Sequence, residues 1–159
     1  MKKLKITCCI GILMVSLLSN TIISNASGYY AEEYKQRALE LRLERANEEL
    51  AKRKESGELL TKQSGVYYYN DIQRETYYNL NMSGVVEIMR NRGYREEDYP
   101  YWVREDGVKM LGDYVMIAAN LETHPRGSLV ETSLGLAIVC DTGGFAKTYT
   151  NGVDIAVEW

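Results

Sequence analysis

The chain has 159 residues, 45% of them hydrophobic, and its 22 acidic and 19 basic side chains give a formal net charge of −3. This length accommodates one folded domain with a modest extension. Residues 65–159 carry fourteen acids against eight bases, which excludes a nucleic-acid binder because such proteins display a basic stripe.

The first 26 residues have the pattern of an export signal. Three lysines fall among the first five residues, an apolar run occupies 6–18, and Ser24 and Ala26 supply the small residues that a signal peptidase reads. The apolar run of about 13 residues is shorter than the about 20 that a membrane span needs. We therefore predict cleavage after Ala26 and a secreted protein without stable membrane insertion; an uncleaved membrane anchor is the alternative.

Residues 27–64 are predicted to form a charged helical spacer. Four apolar residues recur at spacings of four, three and four, as in a coiled-coil seam: Leu39, Leu43, Ala46 and Leu50. The seam covers barely two heptads, so it favours at most weak self-association through the helix. A solvated spacer and a helix that lies on the following domain are both compatible with the pattern. Ser-Gly pairs at 56–57 and 64–65 predict the domain boundary.

From residue 65 the chain changes to short runs rich in tyrosine and β-branched residues, which are typical of strands. The runs are 66–69, 76–78, 101–103, 114–119, 129–130, 136–140 and 153–157. Glu105-Asp106-Gly107 predicts a tight hairpin turn, and 85–92 predicts a short helix that ends at Gly93. Because a sheet of short strands must hide its edges, we predict a small closed β-barrel over 65–159.

Two acids stand out near the end of the chain. Asp141 follows a buried apolar strand and opens the turn Asp-Thr-Gly-Gly, while Asp154 lies between Val153 and Ile155. A carboxylate in such a setting is costly unless it is paired or used, so the two acids predict a site. Cys140 is expected to be a buried small hydrophobe, and His124 is expected to be a loop residue rather than a base.

The turn Asp-Thr-Gly-Gly resembles the loop of aspartic proteases, but that chemistry needs two such loops so that two carboxylates share a proton. Only 15 residues follow Gly144. This length cannot supply the remaining elements of a protease, so we set that resemblance aside.

A second resemblance covers roughly 77–159. Several residues follow the order of the three-aspartate (3D) domain: Asn120, Pro125, Gly127, Gly135, Asp141, Gly143, Gly144, Lys147 and Asp154. This domain is the double-psi β-barrel of lytic transglycosylases related to membrane-bound lytic transglycosylase A and of secreted cell-wall proteins of Gram-positive bacteria. The sequence departs from the pattern where Asn120 replaces the first acid, and in the loop between Lys147 and Asp154, which is slightly longer.

The resemblance implies a mainly β fold, a small six-stranded double-psi β-barrel preceded by the helical spacer. It also implies a secreted lytic transglycosylase that cleaves the β-1,4 bond from N-acetylmuramic acid to N-acetylglucosamine in peptidoglycan, forming a 1,6-anhydro end. In this reading Asp154 is the acid and base and Asp141 is its catalytic neighbour. The substrate-binding residues would be Asn120, Gly143, Gly144 and Lys147. The partner would be the peptidoglycan glycan strand, and no metal or cofactor is expected.

Two alternatives belong to other functional classes. A non-catalytic wall-binding module would keep the groove but tolerate loss of the Asp154 carboxyl group. An interaction protein would depend on the helix over 30–60 and dispense with both acids.

Overall fold

The computed structural model describes the backbone of residues 5–159 and the side chains of residues 30–159. The predicted signal peptide over 1–26 therefore lies outside the residues whose side chains are described. The chain divides into two compact units, Met1–Leu43 and Glu44–Trp159. Within the described part, no helix combines the length and hydrophobicity that a membrane span requires.

One long helix, α1 (Lys5–Ser56), begins in the first unit and ends in the second. Within the second unit its final turns pack on the sheet domain. Leu50 is buried, Arg53 Nη1 donates a 3.1 Å hydrogen bond to the Tyr67 hydroxyl, and the Arg53 guanidinium lies 4.8 Å from the centre of the Tyr69 ring. The sequence was compatible with a solvated spacer or with a helix that lies on the following domain. Residues 44–56 follow the second alternative.

The second unit contains eight strands and one further helix. The elements are β1 (Tyr67–Tyr69), β2 (Gln73–Tyr78), α2 (Ser83–Arg90), β3 (Tyr101–Val103), β4 (Lys109–Leu111), β5 (Tyr114–Ala118), β6 (Leu129–Thr132), β7 (Gly135–Asp141), a 3-10 turn (Gly144–Lys147) and β8 (Val153–Ala156). The prediction of a mainly β fold after an N-terminal helix is confirmed, as are the β3–β4 hairpin and the short helix near 85–92.

The strands form one mixed sheet in the order β1-β2-β8-β5-β4-β3, and β7 pairs with both β5 and β6. The β2–β8 and β5–β7 pairs are parallel, whereas β5 and β8 are antiparallel. The prediction of a closed six-stranded barrel is wrong in strand number and in closure. The edge strands β1, β3 and β6 have only three or four residues, and such short edges need no closure to avoid further pairing.

Alternate residues of the central strands build the core. One face of the sheet contributes buried side chains that include Val115, Ile117, Ala137, Val139, Val153 and Ile155, as the period of two in a strand requires. Leu60, between α1 and β1, is fully buried in the same cluster. The helix α2 contacts β7 and buries Val85 and Met89.

Candidate functional site

The candidate site is built on the sheet face opposite this core. Asp154 on β8 is the register partner of Thr76 on β2 and of Ala118 on β5, and Ala118 is also the partner of Asp141 on β7. Residues that face each other across paired strands project to the same side of the sheet. Thr76, Asp154, Ala118 and Asp141 therefore form one row, which we call the carboxylate row.

A β-bulge brings Asp141 into this row. The register between β5 and β7 runs from Ile117–Val139 to Ala118–Asp141, so Cys140 is one extra residue on β7. Without it, strict alternation would direct Asp141 to the core face with Val139. Bulges of this kind re-aim a side chain, and they are frequent beside active sites.

Asp154 lies in the partly apolar setting that its sequence neighbours predicted. Burial raises the pKa of the Asp154 carboxyl group, while the Thr76 hydroxyl and the Arg74 charge act in the opposite direction. Its Oδ1 atom is buried and has no hydrogen-bond partner. A carboxyl group whose proton is retained toward neutral pH can act as a general acid.

Asp141 has a guanidinium group within ion-pair distance. Arg126 Nη2 lies 3.7 Å from Asp141 Oδ1, and Arg126 Nε donates a 2.9 Å hydrogen bond to the carbonyl oxygen of Cys140. The intervening Cys140 thiol is buried, and burial followed by the Asp141 charge raises its pKa to about 12, so the thiol stays protonated.

A groove of about 690 Å³ adjoins the row at the end of β7. It brings together the four residues that sequence analysis assigned to substrate binding: Asn120, Gly143, Gly144 and Lys147. We call it the Lys147 groove. Neither Asp141 nor Asp154 lines it, although Thr142, the residue after Asp141, does. The Asn120 Oδ1 atom accepts a 3.0 Å hydrogen bond from the Glu122 N–H, so this oxygen already shapes the local turn.

His124 belongs to the same turn. Its N–H donates a 2.8 Å hydrogen bond to the Asn120 carbonyl oxygen, and its Nδ1 lies 3.0 Å from Thr123 Oγ1. This position agrees with the expectation of a loop residue. Among the described side chains, no group of three or more His, Cys, Asp or Glu could hold a metal ion.

Sequence reasoning missed the side chains that surround the two acids. Thr76 and Tyr78 on β2 alternate onto the row's face, and Arg126 reaches it from the β5–β6 loop. The Tyr78 hydroxyl is buried beside Asp141, and the two side chains lie within hydrogen-bonding reach of each other. Burial raises its pKa, with Asp141 and then Cys140 and Asp154 adding to the effect, so the hydroxyl stays a neutral donor. The alternation of 76–78 is visible in the sequence, but the parallel pairing with β8 is not.

The carboxylate row thus brings together a carboxyl group whose pKa is raised by burial, a second carboxylate beside a guanidinium, and a phenol, next to an open groove. This combination can exchange a proton with a ligand that bears hydroxyl groups. Comparison with protein-family models, with curated proteins and with solved structures finds no match to this chain.

Proposed function

We propose that the protein is a lytic transglycosylase that acts on peptidoglycan, with Asp154 as its single acid and base. The observation that supports this proposal most directly is the setting of Asp154, a partly buried carboxyl group with a raised pKa that shares a sheet face with a second carboxylate. A hydrolase with two acting carboxylates would also fit two acids, but their surroundings differ: Arg126 lies 3.7 Å from Asp141, whereas burial raises the pKa of Asp154.

In the proposed reaction, Asp154 gives its proton to the glycosidic oxygen as the bond from C1 of N-acetylmuramic acid breaks. The C6 hydroxyl oxygen of the same sugar attacks C1, and the proton of that hydroxyl returns to Asp154. The products are a free 4-hydroxyl group on N-acetylglucosamine and a 1,6-anhydro end. Because the nucleophile belongs to the substrate, one carboxyl group can perform both proton transfers in turn.

Asp141 would stabilise the positive charge that develops at C1, because its carboxylate is held on the same face by the bulge at Cys140. The Lys147 groove would hold the glycan strand beside the row. In that groove, the backbone at Gly143 and Gly144 lets a sugar approach closely, and Lys147 supplies a cation for a carboxylate of the stem peptide. These assignments make the cell wall the site of action and agree with the predicted export.

We further propose that the sheet is a relative of the double-psi arrangement. Two parallel pairs, β2–β8 and β5–β7, are joined by the antiparallel contact of β5 with β8. In a flat sheet β2 and β7 would lie three strand spacings apart, about 14 Å. Asp141 on β7 nevertheless affects the Tyr78 hydroxyl on β2, which supports strong curling of these four strands.

A non-catalytic wall-binding module is the second candidate. The observation that favours it is that the Lys147 groove is lined by all four expected binding residues and by neither acid. The Asn120 Oδ1 atom is also committed to the turn, so the position of the first family acid carries neither charge nor a free oxygen.

Digestion of purified peptidoglycan, with products identified by mass spectrometry, separates the two functions. We expect the protein to release muropeptides lighter by one water than hydrolysis products, and Asp154→Asn to reduce their release at least about a hundredfold. Asp113→Asn is the matched control, since Asp113 is exposed in the turn before β5. Equal wall binding by the protein and by Asp154→Asn, without soluble products, would contradict catalysis and support the binding module.

A further inference from the structure

A second cavity, larger than the Lys147 groove, has no role in the reaction above. Its volume is about 850 Å³, and its lining comes from the loop after β2, from the helix α2 and from the strands β3 and β4. Volumes of about 300–1,000 Å³ are typical of sites for small molecules. It shares no lining residue with the Lys147 groove. We call it the Lys109 cavity.

Lys109 on β4 is the unusual residue of this lining. Only 3% of its surface is exposed, and it lines the cavity. Its Nζ atom donates a 2.8 Å hydrogen bond to Asn79 Oδ1 and a 2.7 Å hydrogen bond to the Leu80 carbonyl oxygen. Both acceptors are neutral, and among the described residues no carboxylate forms an ion pair with this ammonium group.

A buried ammonium group without a counter-charge is costly, and lysine is almost never fully buried unless it is paired. The ammonium group has three N–H donors. Two are used by the bonds above, which leaves one that no described residue accepts. A carboxylate bound in the cavity would supply both the third acceptor and the missing charge, and such charge-assisted hydrogen bonds are the strong ones.

The remaining charges of the lining are mostly acidic. Three exposed glutamates contribute: Glu87, Glu96 and Glu158. Arg90 also lines the cavity, but its Nη1 donates hydrogen bonds to the carbonyl oxygens of Tyr94 and Tyr99. A ligand with negative charge alone would be repelled by the glutamates, and one with positive charge alone would leave Lys109 without a counter-charge. A ligand that carries both a carboxylate and an ammonium group complements the whole lining.

The cavity also offers apolar surface. Leu80 and Tyr101 are exposed large hydrophobic residues, with 46% and 39% of their surface accessible, and Val86 of α2 lies in the same lining. Apolar walls with a few placed polar groups are typical of ligand sites. They would accept an aliphatic side chain of the ligand.

We propose that the Lys109 cavity binds a short zwitterionic peptide with an aliphatic side chain. The peptide's terminal carboxylate accepts a hydrogen bond from Lys109 Nζ, its terminal ammonium group lies among the three glutamates, and its side chain packs on Leu80 and Tyr101. Binding at this cavity does not depend on the proposed reaction at the carboxylate row.

The test is isothermal titration calorimetry of the full chain with three probes: the dipeptide Ala-Leu, its C-terminal amide and its N-acetyl derivative. We expect saturable binding of Ala-Leu. The amide should bind at least about tenfold more weakly, because it loses the charged hydrogen bond to Lys109. The acetylated probe should bind about threefold more weakly, since the exposed glutamates contribute less.

Lys109→Met removes the charge and keeps a side chain of similar length. This variant should bind Ala-Leu and its amide equally, since the two changes remove the same interaction. Lys147→Met is the matched control, because Lys147 is an exposed lysine of the other groove, and it should keep the tenfold preference. A purely structural role, in which Lys109 only ties β4 to the loop after β2, predicts lower stability and an unchanged preference.

The proposal is overturned if Ala-Leu shows no saturable binding in the millimolar range, or if the unchanged protein binds Ala-Leu and its amide equally. These two comparisons need no variant, so they decide the matter even if Lys109→Met does not fold. Acetate that binds as tightly as Ala-Leu would also overturn it, by showing a simple anion site. No measurement here uses peptidoglycan, so failure of the proposed function would be seen separately, in the digestion.

Discussion

Ser133→Ala should destabilise the protein strongly, although Ser133 lies outside the candidate site and has no chemical role in the proposed reaction. Ser133 is fully buried in the turn between β6 and β7. Its hydroxyl accepts a 3.0 Å hydrogen bond from the Leu60 N–H and donates to the Glu75 carboxylate. One hydroxyl thus joins the segment after α1, the strand β2 and the β6–β7 hairpin.

The size of the stability loss follows from the two groups that the substitution would leave without a hydrogen-bond partner. The Leu60 N–H loses its acceptor, and Glu75 Oε2 keeps only the 3.2 Å contact from the Ser133 N–H. Each buried group left without a good partner costs about 1–3 kcal/mol, so we expect a loss of about 2–5 kcal/mol in the free energy of unfolding. For a small domain with about 5–15 kcal/mol in total, this is a large fraction.

Equilibrium unfolding in urea, followed by tryptophan fluorescence, measures the change. Ser83→Ala is a suitable control, because Ser83 is exposed at the start of α2 and no side-chain hydrogen bond caps that helix. A loss below about 0.5 kcal/mol in Ser133→Ala, the range of an ordinary surface substitution, would refute the argument that this hydroxyl ties three segments together.

The burial of Glu75 also predicts how the stability of the protein changes with pH. Burial raises the pKa of the Glu75 carboxyl group, while hydrogen bonds from Ser133 and Gln73 act in the opposite direction. The folded state therefore binds a proton more tightly than the unfolded state, and the contribution of Glu75 to stability falls as pH rises through its raised pKa. Ser133→Ala removes a donor and raises this pKa further, so its cost should be larger at pH 8 than at pH 4.

Two further substitutions test the site and the turn beside it. Asp154→Asn should stabilise the protein relative to the unchanged chain as pH rises above the ordinary pKa of aspartate. Burial raises the pKa of Asp154, so its ionisation opposes folding. A stability difference in urea unfolding that is the same at pH 4 and pH 8 would contradict this. Gly127→Ala should lower the melting temperature, because φ at Gly127 is 90° and an added Cβ would collide with the Tyr94 hydroxyl. Adding Tyr94→Phe to the same chain should recover part of the lost melting temperature. No recovery would show that backbone strain alone is responsible.

The sequence predicted the strands better than their assembly. Alternating and β-branched runs reveal a strand wherever one face is buried, and the hairpin turn at Glu105-Asp106-Gly107 is local chemistry that a short window contains. Closure of the sheet is a non-local property. It depends on which distant strands pair, and β2 and β8, which pair in parallel, are separated by most of the domain. Leu60 is another example. The sequence places it in the spacer, whereas in the structure it is buried in the core, because the strands that cover it come later in the chain.

At the site, the identity of the two acids was accessible from sequence because a carboxylate among apolar residues is conspicuous. Their environments were less accessible. The apolar neighbours of Asp154 predicted its raised pKa, but the Tyr78 hydroxyl and the Arg126 guanidinium come from other strands and loops. A sequence pattern contains no information about a donor that arrives from a parallel strand about 75 residues away, since nothing local sets that pairing.

The orientation of Asp141 illustrates why a single residue can decide a site. By alternation from Ala137 and Val139, both in the core, Asp141 would point into the core as well, where an unpaired carboxylate costs several kcal/mol. The extra residue, Cys140, resolves this conflict by shifting the register, so that Asp141 joins Asp154 on the opposite face. The apolar strand and the partly buried acid at its end are thus compatible only because of the bulge. Cys140, which is itself buried on β7, therefore turns the Asp141 carboxylate toward the face that carries Asp154.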